Sequence, residues 1–253
     1  MIIAHVNDQQ TGRADSLDET PFQTARREAR EEIGLASSLP RPFSVEHLCE
    51  LPASLAKTEL VVRPCVALLH SYDSKTGENS DPEESLIPRL DAKEVAAVFT
   101  APFHNFLRMT DDDVDKDRRK EGVNEGDPGD WYQGAWTEWH QSTWRMHQFF
   151  VPIRNGSVVK PRSKSRNQQQ AVEQLQEQEE TGLTRYRVFG MTARILVDVA
   201  RVAYNEEPEF EHNSHFGDEE LIGKLRRMGR LSEVRKASDE LTRETMEKAA
   251  KLS

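Results

Sequence analysis

Phe22, Ala25, Ala29 and Ile33 recur at helical spacing between polar residues, a pattern that predicts an amphipathic helix. Both of its ends are marked. Thr20 is the expected N-cap, Pro21 suits the first helical position, Gln23 completes a T-x-x-Q capping box, and Gly34 supplies the stop. Leu39-Pro40-Arg41-Pro42 then breaks the chain, and the period changes. Phe43 to Leu51 reads as a strand, and Glu59 to Tyr72 as a longer buried one. Ser74 to Glu84 is a polar loop, Glu94 to Thr100 another strand, and Phe103 to Leu107 a short helix after Pro102. Trp131 to His140 and Thr143 to Ile153 are expected to pair as strands. Arg185 to Phe189 returns to strand, and Thr192 to Tyr204 has helical period through Ile195, Leu196, Val199 and Val202. From Phe216 the tail predicts a charged, weakly amphipathic helical hairpin.

Two stretches carry no apolar period. Met109 to Asp130 is acidic and reads as an exposed insertion; Asn155 to Glu180 is of low complexity, basic and then Gln/Glu-rich, and cannot build a core. With 253 residues, 36% apolar and 31% charged, the chain suits one large domain or a smaller core with additions. Its 34 Lys and Arg against 44 Asp and Glu leave a net charge of −10, which argues against general attraction to nucleic acid or an anionic membrane. No apolar run approaches the ~18 residues of a membrane span, and Met1-Ile2-Ile3 lacks the features of a signal peptide. Cys49 and Cys65 lack metal-ligand spacing and are expected to be reduced thiols in an intracellular protein.

The helix that begins at Pro21 also carries the candidate chemistry. At roughly 100° per residue, Glu28, Glu31 and Glu32 fall within one third of its circumference. Carboxylates crowded in this way repel and raise one another's pKa unless a cation sits among them. Hard oxygen ligands of this kind suit Mg²⁺ or Mn²⁺, which in turn suit phosphate oxygens. Periodicity alone favours a plainer reading, a solvated face laced with ion pairs between residues four apart.

The residue types and spacings narrow the choice. Arg27-Glu28-Ala29-Arg30-Glu31-Glu32-Ile33-Gly34-Leu35, with Glu19 eight residues before Arg27, resembles the core of the Nudix box, the motif of hydrolases of nucleoside diphosphates linked to another group. The family's box opens on a Gly-Gly pair, where this chain has Thr11-Gly12. The resemblance implies an α/β fold: a Nudix α/β/α sandwich with a mixed sheet, lacking N-terminal strands, and with a helical C-terminal extension. The Nudix domain is expected over residues 1–204, with insertions near 109–130 and 155–182, and the charged extension over 205–253. Met1 to Thr11 supplies at most one short strand, so an open sheet edge, poor solubility and little activity are expected of the chain as written. Within the family, several segments resemble the coenzyme A pyrophosphatase branch, particularly its fungal members. They are Ala56 to Pro64, Asp91 to Phe99, Val188 to Ala193, and the spacing Gly12-x-x-Asp15-x-x-Asp18.

That likeness implies metal-dependent hydrolysis of a pyrophosphate bond in a small-molecule nucleotide, coenzyme A or a derivative, to 3′,5′-ADP and a phosphopantetheine product. Glu28 and Glu32 are then the first choice as ligands of Mg²⁺ or Mn²⁺, and Glu31 is a further ligand or the acceptor of the water's proton. Arg27 is expected to point away from the metal face and to fix the glutamates or the box loop by ion pairing, with Glu19 behind the ligands. Glu94 is either an added carboxylate or a strand-edge residue. The alternatives are a Nudix hydrolase of ADP-ribose or another nucleoside diphosphate derivative, and a non-catalytic interaction protein.

Weaker features are read plainly. Trp131, Trp136, Trp139 and Trp144 are placed in the core before adenine stacking, and His140 and His147 are ordinary strand histidines before general bases. Lys160, Arg162, Lys164 and Arg166 belong to a solvated loop before a phosphate site. The terminal Lys251-Leu252-Ser253 is not counted as a peroxisomal signal, so cytoplasmic, peroxisomal and mitochondrial locations stay open.

Overall fold

The computed structural model describes residues 2–5, 19–56, 60–82, 86, 98–111, 131–139, 142–153, 158–159, 185–231 and 241–252. Helix α1 (Pro21–Ile33) forms between the expected caps. The Gln23 amide donates to Thr20 Oγ1 at 3.3 Å and the Thr20 amide donates to Gln23 Oε1 at 2.8 Å, so the capping box is reciprocal. Gly34 takes the left-handed conformation (φ 72°) that lets its N–H reach the Arg30 carbonyl and that of Leu35 reach Ala29.

Strands β1 (Ile2–His5), β2 (Ser44–Glu50), β3 (Ser54–Leu55), β4 (Val61–Val62) and β5 (Cys65–His70) follow the chain order around α1. The long strand expected over Glu59 to Tyr72 is in fact two. β4 pairs with β3, whereas β5 is the middle strand of a β1–β5–β2 sheet. The break falls at Pro64, which has no N–H to give a ladder; its carbonyl instead accepts from the Leu51 amide at 2.9 Å.

The sheet is covered on both faces, as an α/β/α sandwich requires. Val45, Cys65 and Ala67 line a cleft with Phe22, Ala25 and Ala29 of α1. On the other face, Val66 with Cys49 and Leu51 packs on Met191, Ile195 and Val199 of helix α2 (Gly190–Tyr204). This helix starts two residues before its expected beginning at Thr192.

Downstream, β6 (Val98–Phe99) pairs with β9 (Val158–Val159), and β7 (Tyr132–Trp139), β8 (Ser142–Pro152) and β10 (Arg185–Phe189) form a sheet in the order β10–β8–β7. The expected pairing of the two long strands is there, from Tyr132 opposite Phe149 to Trp139 opposite Ser142. Every pairing among the described residues is antiparallel, so the parallel pair that a mixed sheet needs is not among them. Phe103–Leu107 is a 3₁₀ turn. Its Phe106 and Leu107 enter a core with Trp131, Tyr132, Phe149, Val151, Ala193, Val197 and Phe210.

The tail is more deeply engaged than its charge suggests. Helices α3 (Glu219–Arg227) and α4 (Arg243–Lys251) bury Ile222, Leu225, Met246 and Ala249 against Ala53 and Leu55. Asp218 accepts the Leu55 amide at 2.9 Å and pairs with the buried guanidinium of Arg194, while Glu219 accepts the Ala53 amide at 2.9 Å. Burying few but large apolar residues is enough to dock a helix whose remaining faces are charged.

Candidate functional site

Glu28 is the centre of the site. Although it belongs to the polar side of α1, it is only 1% exposed. A carboxylate so buried must be hydrogen-bonded or neutralised, and the adjacent Arg27 meets that need: Nη1 donates to Glu28 Oε1 at 2.6 Å. The same nitrogen reaches Glu31 Oε2 at 3.2 Å, one turn along the helix. Nε and Nη2 grip the two oxygens of Glu19 at 3.1 and 3.4 Å, a two-pronged pairing that pins Glu19, the residue before the cap, onto the helix. Arg27 was expected to turn away from the metal face while fixing the glutamates or the box loop by ion pairing; the ion pairs are there, and its guanidinium lies across Glu28 and Glu31. One planar five-donor group reaches three carboxylates, and this geometry draws it inward.

The electrostatics follow from this packing. Burial raises the Glu28 pKa above the ordinary carboxylate range and Glu32 and Glu31 add to the rise, while Arg27 works against it. Arg27 holds its proton more tightly than usual, first through its hydrogen bond to Glu19. Glu31 is about half exposed and accepts a second bond, from Arg30 at 3.3 Å. Glu32 is half-buried on the same side of the helix. The donor set is therefore all oxygen and carries more negative charge than Arg27 offsets. Hard oxygen donors of this kind are the type that suits a hard divalent cation.

Glu19, Arg27, Glu28 and Glu31 are thus brought together. Glu94, His140, Lys160, Arg162, Lys164 and Arg166 lie outside the described residues, as do the remainder of the acidic stretch beyond Asp111, the low-complexity stretch beyond β9, and Ser253. Trp131 and Trp144 are buried, as expected. Trp136 is not: it is exposed, donates to Glu211 Oε2 at 2.8 Å and lies under the Arg145 guanidinium. The Trp139 side chain is outside the described set. His147 is a buried strand histidine with Nδ1 3.1 Å from the Tyr132 hydroxyl, and burial pushes its pKa down to about 4. Beside the box, the sequence reading passed over Arg26. Its Nη2 donates to the Ala36 carbonyl at 2.8 Å, tying the helix to the chain beyond its stop. An arginine among charged neighbours carries no local signal of such a bond.

No family model matches the chain. It is similar to peroxisomal coenzyme A diphosphatase 1 of Saccharomyces cerevisiae, with 25% identity over 235 residues, covering 83% of this chain and 63% of the relative. It is also similar to Nudix hydrolase 15, mitochondrial, and Nudix hydrolase 22, chloroplastic, of Arabidopsis thaliana. Each is 28% identical over 199 residues, covering 79% of this chain and 47% and 45% of the two relatives. The chain thus spans about half to two thirds of the length of the curated relatives it matches. Among the described residues no helix is long and apolar enough to cross a membrane. Beside the capped glutamate helix, the chain is thus similar to two Nudix hydrolases and to a coenzyme A diphosphatase.

Proposed function

We propose that the chain hydrolyses the pyrophosphate bond of coenzyme A or a close derivative, using Mg²⁺ or Mn²⁺, to 3′,5′-ADP and a phosphopantetheine product. One observation carries the reading: Glu28, Glu31 and Glu32 share a face of α1 that Arg27 locks to Glu19 of the preceding loop. The likeness to a coenzyme A diphosphatase supports the substrate class.

In the reaction a water oxygen bonds to phosphorus, the bond from that phosphorus to the bridging oxygen breaks, and one proton leaves the water. Glu28 and Glu32 would hold the cation with Glu31. When bound, a divalent cation neutralises phosphate oxygens and lowers the pKa of a coordinated water. Glu31, the most exposed carboxylate of the face, would serve either as that further ligand or as the acceptor of the water's proton. Arg27 is a positioning residue: it holds Glu28 and Glu31 in fixed rotamers and keeps Glu19 against them. A chain of net charge −10 does not draw a polyanion by its overall field, so the local cations must do so.

The test is turnover of free coenzyme A with Mg²⁺ or Mn²⁺, its products separated by anion exchange, beside ADP-ribose under the same conditions. The expected result is 3′,5′-ADP and a higher kcat/KM for coenzyme A. A preference for ADP-ribose of about tenfold, or about 1.4 kcal/mol of transition-state discrimination, would overturn the substrate. A folded chain that turns over neither substrate would overturn the enzymatic reading in favour of a binding module.

A further inference from the structure

Strict alternation along β2 would place residues three apart, such as His47 and Glu50, on opposite faces of the sheet. The pairing register with β5 slips between His47 and Cys49: His47 lies opposite Ala67, Cys49 opposite Val66, and Glu50 opposite Cys65. This bulge returns Glu50 to the face that His47 occupies, directly across from the Cys65 thiol. An imidazole nitrogen, a carboxylate oxygen and a sulfur, one from each residue, all lie within 4.8 Å of one another. We propose that His47, Glu50 and Cys65 form a second metal site, distinct from the glutamate face of α1, for a borderline-soft divalent cation of the Zn²⁺ class.

The ligand types decide the class. A thiolate and an imidazole with one carboxylate suit Zn²⁺, whereas the all-oxygen face of Glu28, Glu31 and Glu32 suits a hard cation. The imidazole is held in place: the His47 ring stacks on Phe22 at 4.1 Å between centroids and 11° between planes. Cys65 is buried in the cleft between α1 and the sheet, while His47 and Glu50 open to solvent, so water can complete a four-coordinate shell. Arg63 approaches Glu50 at 4.0 Å, but its closer partner is Glu219 at 2.7 Å, so Glu50 can serve a cation while Arg63 keeps an ion pair. As the sulfur–metal bond forms, the Cys65 S–H bond breaks and its proton passes to solvent.

Cobalt(II) alone, titrated into the whole metal-free chain under reducing conditions, is the probe. A thiolate bound to cobalt gives a near-ultraviolet charge-transfer band that carboxylate ligands do not, so the glutamate face cannot mimic it. The expected result is such a band, rising to saturation as cobalt is added, displaced by Zn²⁺, unchanged in Cys49→Ser and absent in Cys65→Ser. The exposed ligands provide variants that leave the core intact: His47→Gln and Glu50→Gln should each weaken cobalt binding at least about tenfold, the lower bound for disturbing even the outer partner of a metal ligand. Absence of the band, its survival in Cys65→Ser, its loss in Cys49→Ser, or unchanged affinity in His47→Gln would each overturn the site. The outcome is independent of coenzyme A turnover, so it stands or falls apart from the proposed hydrolase activity.

Discussion

Replacing Arg27 by leucine strips three carboxylates of their shared counterion at once. The Glu31 arm is half exposed and contributes little, under about 1 kcal/mol. Glu28 decides the outcome: it is 1% exposed and its hydrogen bond to Arg27 is 2.6 Å long. Leaving one partner of a buried pair uncompensated costs about 3–5 kcal/mol. Arg27 keeps 16% of its side-chain surface in solvent, so water partly replaces it and the lower end applies. A loss of about 3 kcal/mol lowers the melting temperature of a chain of this size by about 6–12 °C. Its pH dependence has a definite sign. Glu28 already titrates above its ordinary value of 4.5 in the folded chain, and losing Arg27 raises it further. The folded state then binds more protons than the unfolded state across that window, so stability falls as pH rises through it. The deficit of Arg27→Leu should be largest above the variant's raised Glu28 pKa, shrink as pH falls through it, and level off below the wild-type chain's own raised value. Urea melts in EDTA at several pH values measure this. Adding Glu28→Gln should recover most of the loss at neutral pH, because the amide needs no counterion. A cost below about 1 kcal/mol, a deficit that does not change with pH, or no recovery in the double variant would refute the reasoning.

Other expected outcomes test the packing around the site. His147 is held neutral by burial, its pKa lowered from 6.5 to about 4, so stability should fall as pH drops from about 6.5 and level off near 4, by up to about 3 kcal/mol; His147→Gln should flatten that limb of the pH–stability curve. Asp218→Ala removes the partner of buried Arg194 and the acceptor of the Leu55 amide, and should cost about 3–5 kcal/mol and open the tail to limited proteolysis. Leu225→Ala empties a fully buried position beneath α4 and should cost about 2–5 kcal/mol in denaturant melts. Gly217→Ala would set a Cβ 2.6 Å from the carbonyl oxygens of Pro52 and Ala53 at a φ of +57°, so it should cost at least about 1–2 kcal/mol from backbone strain alone.

What could be read from sequence was local. Thr20, Pro21, Gln23 and Gly34 act within one turn of their own backbone, so α1 was legible to the residue. The glutamate spacing was legible for the same reason. The burial of Glu28 was not: a helical wheel assigns it to the polar side, yet it is buried with the Arg27 guanidinium, itself held by Glu19, against its carboxylate. In Glu59 to Tyr72 the apolar run concealed a break that Pro64 in fact announced, since a proline within a buried strand forfeits a ladder bond. The seating of α3 and α4 on Ala53 and Leu55 depends on partners more than 150 residues apart in the chain, such as Asp218 and Leu55, which no window along the sequence brings together. Likewise, the shared face of His47 and Glu50 depends on a bulge that no glycine or proline marks.

The most direct test is coenzyme A hydrolysis by the wild-type chain, Glu28→Gln and Glu32→Gln, measured side by side with Mg²⁺ or Mn²⁺ and with EDTA, after melts confirm that all three are folded. If the carboxylates of α1 hold the cation that the reaction needs, wild-type turnover vanishes in EDTA. Each glutamine variant then loses about 100-fold or more in kcat, the scale of removing one group aimed at developing charge. A folded Glu28→Gln or Glu32→Gln chain that keeps near wild-type turnover, or wild-type turnover that persists in EDTA, would contradict the account.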